Sequence, residues 1–329
     1  MKRTLASLLA SAAMTLSATA TFAQEEITVA YFLEWPLPML AAKADGTYEE
    51  ELGVTINWRA FETGTAMSAA MASGDVQISV SQGVPPFVVA ASAGQDIQVV
   101  DVAVSYSEND NCVVGTNLEI DKENASELSG KTVAVPLGTA AHYGFLRQMD
   151  HFGVDLASLS VLNMAPPEGA AALAQGQVDF ACGYGGGLAR MKEHGNVLLT
   201  GAEKEELGIL VFDVTSTPAN FAAENPELLS QFLAVTAASN DAWNADPSDE
   251  MLEKIAKESG MDMDGARASI STMTFPSASD QLSDKWLGGA AQTFMKGVAD
   301  VFVEAQSIDS ALPSYEDAVN IAPLTAAVQ

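Results

Sequence analysis

The chain has 329 residues, with 43 acidic against 15 basic and a formal charge of −28. That balance argues against nucleic acid and anionic membrane as partners, because both repel an acidic surface. The length exceeds what one small core organises, so two lobes are expected.

Residues 1–23 read as an export signal. Lys2 and Arg3 form the charged start, 5–20 is an Ala/Leu-rich apolar run, and Thr21-Phe22-Ala23 offers a small-x-small cleavage site before Gln24. The run is too short, and too rich in Ser and Thr, to span a bilayer permanently. No Cys stands directly after the cleavage point, and no later window is apolar enough to cross a membrane. A periplasmic protein is expected. Removal of Lys2 and Arg3 takes the basic count from 15 to 13 against 43 acidic residues, a balance of −30. In that oxidising compartment Cys112 and Cys182 are candidates for a disulfide.

In chain order, 27–32 reads as a buried strand ended by the Glu34–Pro38 turn, followed by a helix over 39–44 and an alternating strand over 54–61. A helix over 65–72 closes at Ser73-Gly74-Asp75, and 76–80 is the next strand. The turn 81–86 feeds a helix to about 93, with proline acceptable in its first turn, and 97–104 is another strand. This alternation is the grammar of an open α/β sheet. The polar stretch 105–111 interrupts it. It then restarts with strands over 112–115 and 132–137, a helix over 139–152, a strand over 159–163, a helix over 167–174, a strand over 178–182 and a helix over 187–194. Residues 209–216 read as a return crossing. Helices over 226–245, 247–259, 264–273 and 280–306 complete the chain.

An internal echo supports two related halves. Ala72-Ser73-Gly74-Asp75-Val76 resembles Ala174-Gln175-Gly176-Gln177-Val178, each a helix end, a glycine stop and a strand.

Several chemistries lack their signatures. Gly183-Tyr184-Gly185-Gly186-Gly187 has neither the Lys-Ser/Thr of a phosphate loop nor the spacing of a dinucleotide fingerprint. Asp262-Met263-Asp264-Gly265 fails the calcium-loop spacing. His142, His151 and His194 have no metal-ligand spacing, and Gly-x-Ser-x-Gly is absent. No cofactor or metal is expected.

What remains is a set of turns after strands, which line the ligand crevice in open α/β sheets. They carry Glu34, Trp35, Ser81, Gln82, Thr139, Ala140, His142, Tyr143 and Tyr184, with Asp213 in the return crossing. Gly138 permits a sharp turn and Thr139 is a suitable N-cap. The helix start that follows suits a small anion. With Arg and Lys absent from these turns, an anion would be held by neutral donors and helix ends. Glu34 and Asp213 could meet an ammonium, and Trp35, Tyr143 and Tyr184 could pack its methylenes.

The segments I-T-V-A-Y (27–31), N-W-R-A-F-E-T-G (57–64), A-S-G-D-V-Q-I (72–78), L-S-G-K-T-V-A-V-P (128–136), T-A-A-H-Y (139–143) and N-F-A-A-E-N-P-E-L-L (220–229) run in collinear order along most of the chain. In them the chain resembles the periplasmic solute-binding proteins of taurine, aliphatic sulfonate and nitrate-type ABC transporters, most of all the taurine-binding ones. The resemblance implies a bilobed α/β binding protein of the type II-like class. Lobe 1 would be 24–107 and 213–329, lobe 2 would be 108–212, and two strands would cross between them with the ligand in the cleft. It implies that Ser81-Gln82 and Thr139–Tyr143 hold a sulfonate-like end and Asp213 the amine, with help from Glu34. It implies a small zwitterion as ligand, an inner-membrane ABC permease as partner, a monomer, and no catalysis.

Two departures fall in the expected crevice. Tyr184-Gly185-Gly186 stands where relatives carry Trp-Ala-Pro, and Glu34-Trp35 replaces small polar residues. They keep open a quaternary or longer amine or a thiamine-precursor pyrimidine. An enzyme of pyrimidine synthesis on the same fold is the alternative of another class, although such enzymes carry a cysteine-rich motif and this chain has two cysteines.

Overall fold

A computed structural model describes residues 26–209 and 211–329. The expected export signal lies outside the described residues. Strands β1 (Glu26–Phe32), β2 (Thr55–Phe61), β3 (Ile78–Gly83) and β4 (Ile97–Tyr106) come first in the chain. Strands β5 (Asp110–Gly115), β6 (Thr132–Val135), β7 (Ser160–Asn163), β8 (Phe180–Tyr184) and β9 (Gly195–Val197) follow, and β10 (Phe212–Pro218) and β11 (Met273–Thr274) come last. They form two sheets, ordered β11-β4-β10-β3-β1-β2 and β7-β6-β8-β5-β9.

Both sheets are built alike. β1 pairs in parallel with β2 and β3, and β6 with β7 and β8, as helix crossovers require. Into each sheet an antiparallel strand arrives from the other half: β10 between β3 and β4, and β5 beside β8. The chain therefore crosses twice, once between β4 and β5 and once between β9 and β10. Central strands β3 and β5 are buried at every position, because helices cover both faces.

The echo in the sequence is a repeated geometry. Helices Gly64–Ala72 and Pro166–Ala174 both stop at a left-handed glycine, Gly74 (φ 82°) and Gly176 (φ 67°), before β3 and β8. Only glycine takes that conformation without steric cost.

Several boundaries differ from expectation. β3 runs to Gly83, so Ser81 and Gln82 are strand residues and not turn residues. Ser81 bends the strand with φ 59°. The helix expected over 264–273 stops at Ile270, and Met273–Thr274 adds β11 to the sheet edge. The helix expected over 280–306 is split into Ala278–Gln281 and Ala290–Glu304 around Gly288-Gly289, because paired glycines weaken helix continuation. Helices Thr47–Leu52, Gly201–Glu206 and Ala219–Glu224 are not legible in the sequence, being too short to show a period.

Cys112 and Cys182 face each other across β5 and β8 and are joined in a disulfide between buried positions. The bond closes a loop over 70 residues of sequence separation. Replacing both cysteines by alanine is expected to lower unfolding free energy by about 2–4 kcal/mol. A denaturant titration with an unchanged midpoint would show that the sheet alone holds the strands.

Candidate functional site

Three helices begin at the seam between the sheets: Gly64–Ala72, Val84–Ser92 and Ala140–His151. Their first turns bound a cavity of about 20 Å³ through Gly64, Gly83, Pro86, Thr139 and Ala140. Asp213 forms part of the floor, and Phe32, Trp35, Tyr106 and Tyr184 form the walls. The volume suffices for about one water. An organic ligand enters only by moving the walls apart.

The first-turn N–H groups of a helix have no intrahelical partner and carry partial positive charge. At Ala140–His151 that charge is not consumed by a cap. Thr139 sits at the N-cap position, but its hydroxyl donates to the Pro136 carbonyl at 2.6 Å, which corrects the expectation of a capping threonine. Gly83 offers no side chain to cap Val84–Ser92, although Pro85 and Pro86 remove two of its donors.

Asp213 is the opposing charge. It lies on β10, 3% exposed, and accepts hydrogen bonds from the Ser81 hydroxyl at 2.7 Å and the Tyr106 hydroxyl at 2.8 Å. The Trp35 indole N–H donates to Ser81 at 2.9 Å, so one chain of bonds fixes indole, hydroxyl and carboxylate. Burial pushes the Asp213 carboxyl up to about 7, opposed by the two hydroxyls and reinforced by nearby Asp110.

Of the expected site residues, Trp35, Thr139, Ala140, Tyr184 and Asp213 bound this cavity, and Ser81 touches it through Asp213. Three others point elsewhere. The Gln82 amide donates to the Gly64 carbonyl and to Ser68 and accepts from Ser216, so it ties the Gly64–Ala72 helix to β3 and β10 and leaves nothing for a ligand. The His142 ring stacks on Phe302 with centroids 5.2 Å apart, and its Nδ1 accepts from the Gly138 N–H at 3.1 Å. Burial pushes its pKa down to about 4, so it stays neutral. The Tyr143 ring packs edge-on to Phe294, and its hydroxyl accepts from Arg147. The expectation that both reach a ligand from the first turn is corrected. The helix carrying them also rests on Ala290–Glu304, whose apolar face claims those positions.

Glu34 is likewise engaged. Its two carboxylate oxygens take Nη1 and Nη2 of Arg190 at 2.6 and 2.9 Å, across the seam from the helix Gly185–Lys192. The pair lines an outer cavity of about 490 Å³, walled by Phe32, Trp35, Phe61 and Tyr184. Tyr184 spans the seam too, donating to the Glu62 carbonyl at 3.0 Å. The two sequence departures fit each other here. A Cβ on Gly186 would lie 2.5 Å from the Glu34 carboxyl carbon, and one on Gly185, at φ 56°, would lie 2.9 Å from the Glu34 carbonyl. Glycines at 185 and 186 make room for Glu34 and Trp35. Because the ion pair is half exposed, Glu34→Gln is expected to cost about 1 kcal/mol or less, read by thermal melts at low salt. A larger loss would show that closure depends on it.

Sequence reasoning missed Tyr106 and Arg190. Tyr106 ends an apolar strand before a crossing, a position that could have drawn notice. Arg190 lies beyond the turn, on the helix. A larger cavity, about 660 Å³, lies elsewhere, between the helices Met39–Asp45, Pro226–Ala245 and Asp249–Ser259, and is lined by alanines and a charged rim with no buried charge.

Residues 36–275 match the family described as NMT1/THI5 like. The chain belongs to that family. It is 31% identical over 242 residues to the taurine-binding periplasmic protein of Escherichia coli, covering 71% of this chain and 73% of that one. It is 24% identical over 215 residues to a putative aliphatic sulfonates-binding protein of the same organism, 63% of each chain. The fold matches the alkanesulfonate-binding protein SsuA from Xanthomonas axonopodis pv. citri, bound to MOPS, with a TM-score of 0.74 at 19% identity over 90% of this chain and 98% of that one. It also matches the nitrate-binding protein NrtA from Synechocystis, with a TM-score of 0.71 at 13% identity over 93% and 89%. The two-sheet α/β architecture is that of the periplasmic binding proteins.

Proposed function

We propose that this protein is the periplasmic substrate-binding component of an ABC importer and captures a small amino-sulfonate, taurine or a close analogue. One observation carries the reading: uncapped helix starts and a buried carboxylate bound the same cavity. Helix ends suit a sulfonate, and Asp213 suits an ammonium held a few ångströms away. The taurine-binding relative at 31% identity supports the choice.

The lobes are 24–107 with 213–329, and 108–212, after a signal at 1–23. The ligand touches both sheets, gains contacts in the closed form and stabilises it, and a membrane permease reads that form from a monomeric receptor. Glu34–Arg190 and Tyr184–Glu62 already span the seam, so closure has protein contacts of its own. With both cysteines in the disulfide, the enzyme alternative has no thiol among the described residues for cysteine chemistry.

A second reading draws on the outer cavity. Its four aromatic walls favour a bulkier amine, quaternary or pyrimidine-like, over a two-carbon zwitterion. Calorimetry of the mature protein with taurine, ethanesulfonate, choline and an aminopyrimidine separates the two. Taurine binding in the micromolar range or tighter is the expected result, and binding of choline or the pyrimidine alone would overturn it.

A further inference from the structure

Asp110 opens β5 directly after the first crossing, as Asp213 follows the second. It is 1% exposed, and its Oδ2 has no hydrogen-bond partner among the described residues. Its surroundings place it beside the ligand cavity. It pairs in register with Tyr184, a wall of that cavity. Its Oδ1 lies 3.3 Å from where a Gly144 Cβ would stand. Gly144 is one turn along the helix from Ala140, which bounds the cavity, so the two share a face. Gln148 continues that face, and both polar atoms of its side chain also lack partners.

The buried cation nearby does not satisfy Asp110. The Lys204 ammonium donates to the backbone carbonyls of Ser107 and Asp110, supporting the crossing segment and not the carboxylate. Burial raises the Asp110 carboxyl to about 6, with Lys204 opposing. An unpaired buried carboxylate is costly and uncommon. Here Asp213 bounds the small cavity while Asp110, from the opposite sheet, lies behind its Tyr184 wall and within reach of the Asp213 charge, and the ammonium near Asp110 is held by carbonyls. A primary ammonium has three donors, enough to reach Asp213 and Asp110 together, whereas a trimethylated nitrogen has none.

We propose that Asp110 is a second ammonium acceptor, reaching the ligand from the β5 sheet while Asp213 reaches it from the other, and that this pair selects primary amino-sulfonates over alkanesulfonates and quaternary amines. The inference rests on the amino-sulfonate reading above. The glycine at 144 keeps the carboxylate against the helix, with its free oxygen available once the walls part.

The test is calorimetry of wild type and Asp110→Asn with taurine, N,N,N-trimethyltaurine and ethanesulfonate, alongside ligand-free thermal melts. The substitution keeps the shape of the side chain and removes a buried charge, so the variant is expected to melt no lower than wild type. The ratio of taurine to ethanesulfonate affinity is expected to fall by about 10- to 100-fold, with trimethyltaurine the least affected amine. An unchanged ratio, or an equal loss for all three ligands, overturns the assignment. If the variant melts low, Asp110→Ser supplies the same ratio in a second background. Wild type that binds taurine while the variants match it refutes the role of Asp110 alone. Wild type that binds no sulfonate refutes the receptor reading, and this role with it.

Discussion

Asp213→Asn is expected to weaken taurine binding by about 100-fold or more while leaving the ligand-free protein as stable as before or more so. The first half follows from the loss of a charge-assisted bond in a dry site, about 1.5–3 kcal/mol, plus the cost of leaving a ligand ammonium buried without its counter-charge. The second half follows from the same burial. The carboxylate costs free energy to bury before any ligand arrives, and what it gains in return is two bonds, from the hydroxyls of Ser81 and Tyr106. One hydroxyl keeps donating to the asparagine oxygen while the other turns to accept from its amide, so the cluster keeps its bonds. A residue that merely braced the fold would lose stability and affinity together. Opposite signs mark a binding residue whose strain is relieved by ligand. Calorimetry and melts on one preparation decide it, and undiminished taurine affinity would refute the role.

Acidification is expected to move stability and affinity in opposite directions. Asp213 is raised to about 7 and Asp101 and Asp110 to about 6, in each case chiefly by burial. A carboxyl raised in the folded state binds its proton more tightly there than when unfolded. The folded form is therefore favoured at low pH, and that advantage is lost as pH rises through about 6 to 7. Each unit of pKa difference corresponds to about 1.4 kcal/mol per group, so the ligand-free protein should melt several degrees higher at pH 5.5 than at pH 8. Taurine requires the ionised carboxylate, so its affinity should fall below pH 7, by up to about tenfold per unit once Asp213 is largely protonated. The groups facing Asp213 are Ser81, Tyr106, Asp110 and, through Ser81, Trp35. The surface carboxylates push stability the same way through mutual repulsion. Asp213→Asn therefore serves as the control: its affinity should hold between pH 8 and about 7, where that of wild type already slopes, and fall only as Asp110 takes up its proton near 6. A wild-type affinity independent of pH between 5.5 and 8 would show that Asp213 does not carry the ammonium.

The sequence by itself determined the architecture. Runs of Val and Ile alternating with helix-length segments, stopped by Gly74 and Gly176, specify βαβ units, because hydrophobic period and glycine stops are local properties. It also pointed to Asp213 and the start of the helix after Gly138 as cavity-lining positions, since strand ends are where open sheets keep their crevices. The tertiary structure decided which side chains from those turns face inward. His142, Tyr143 and Gln82 sit at the expected chain positions, yet Phe302, Phe294 and Ser216, more than a hundred residues away along the chain, claim them. No local pattern records such partners. The same holds for Glu34, whose charge is committed to Arg190 across the seam, and for Gly185 and Gly186, whose purpose is the room they leave for a turn in the other half. Residue type and spacing set where the chain bends and buries, and long-range packing sets which polar groups remain unpaired for a ligand.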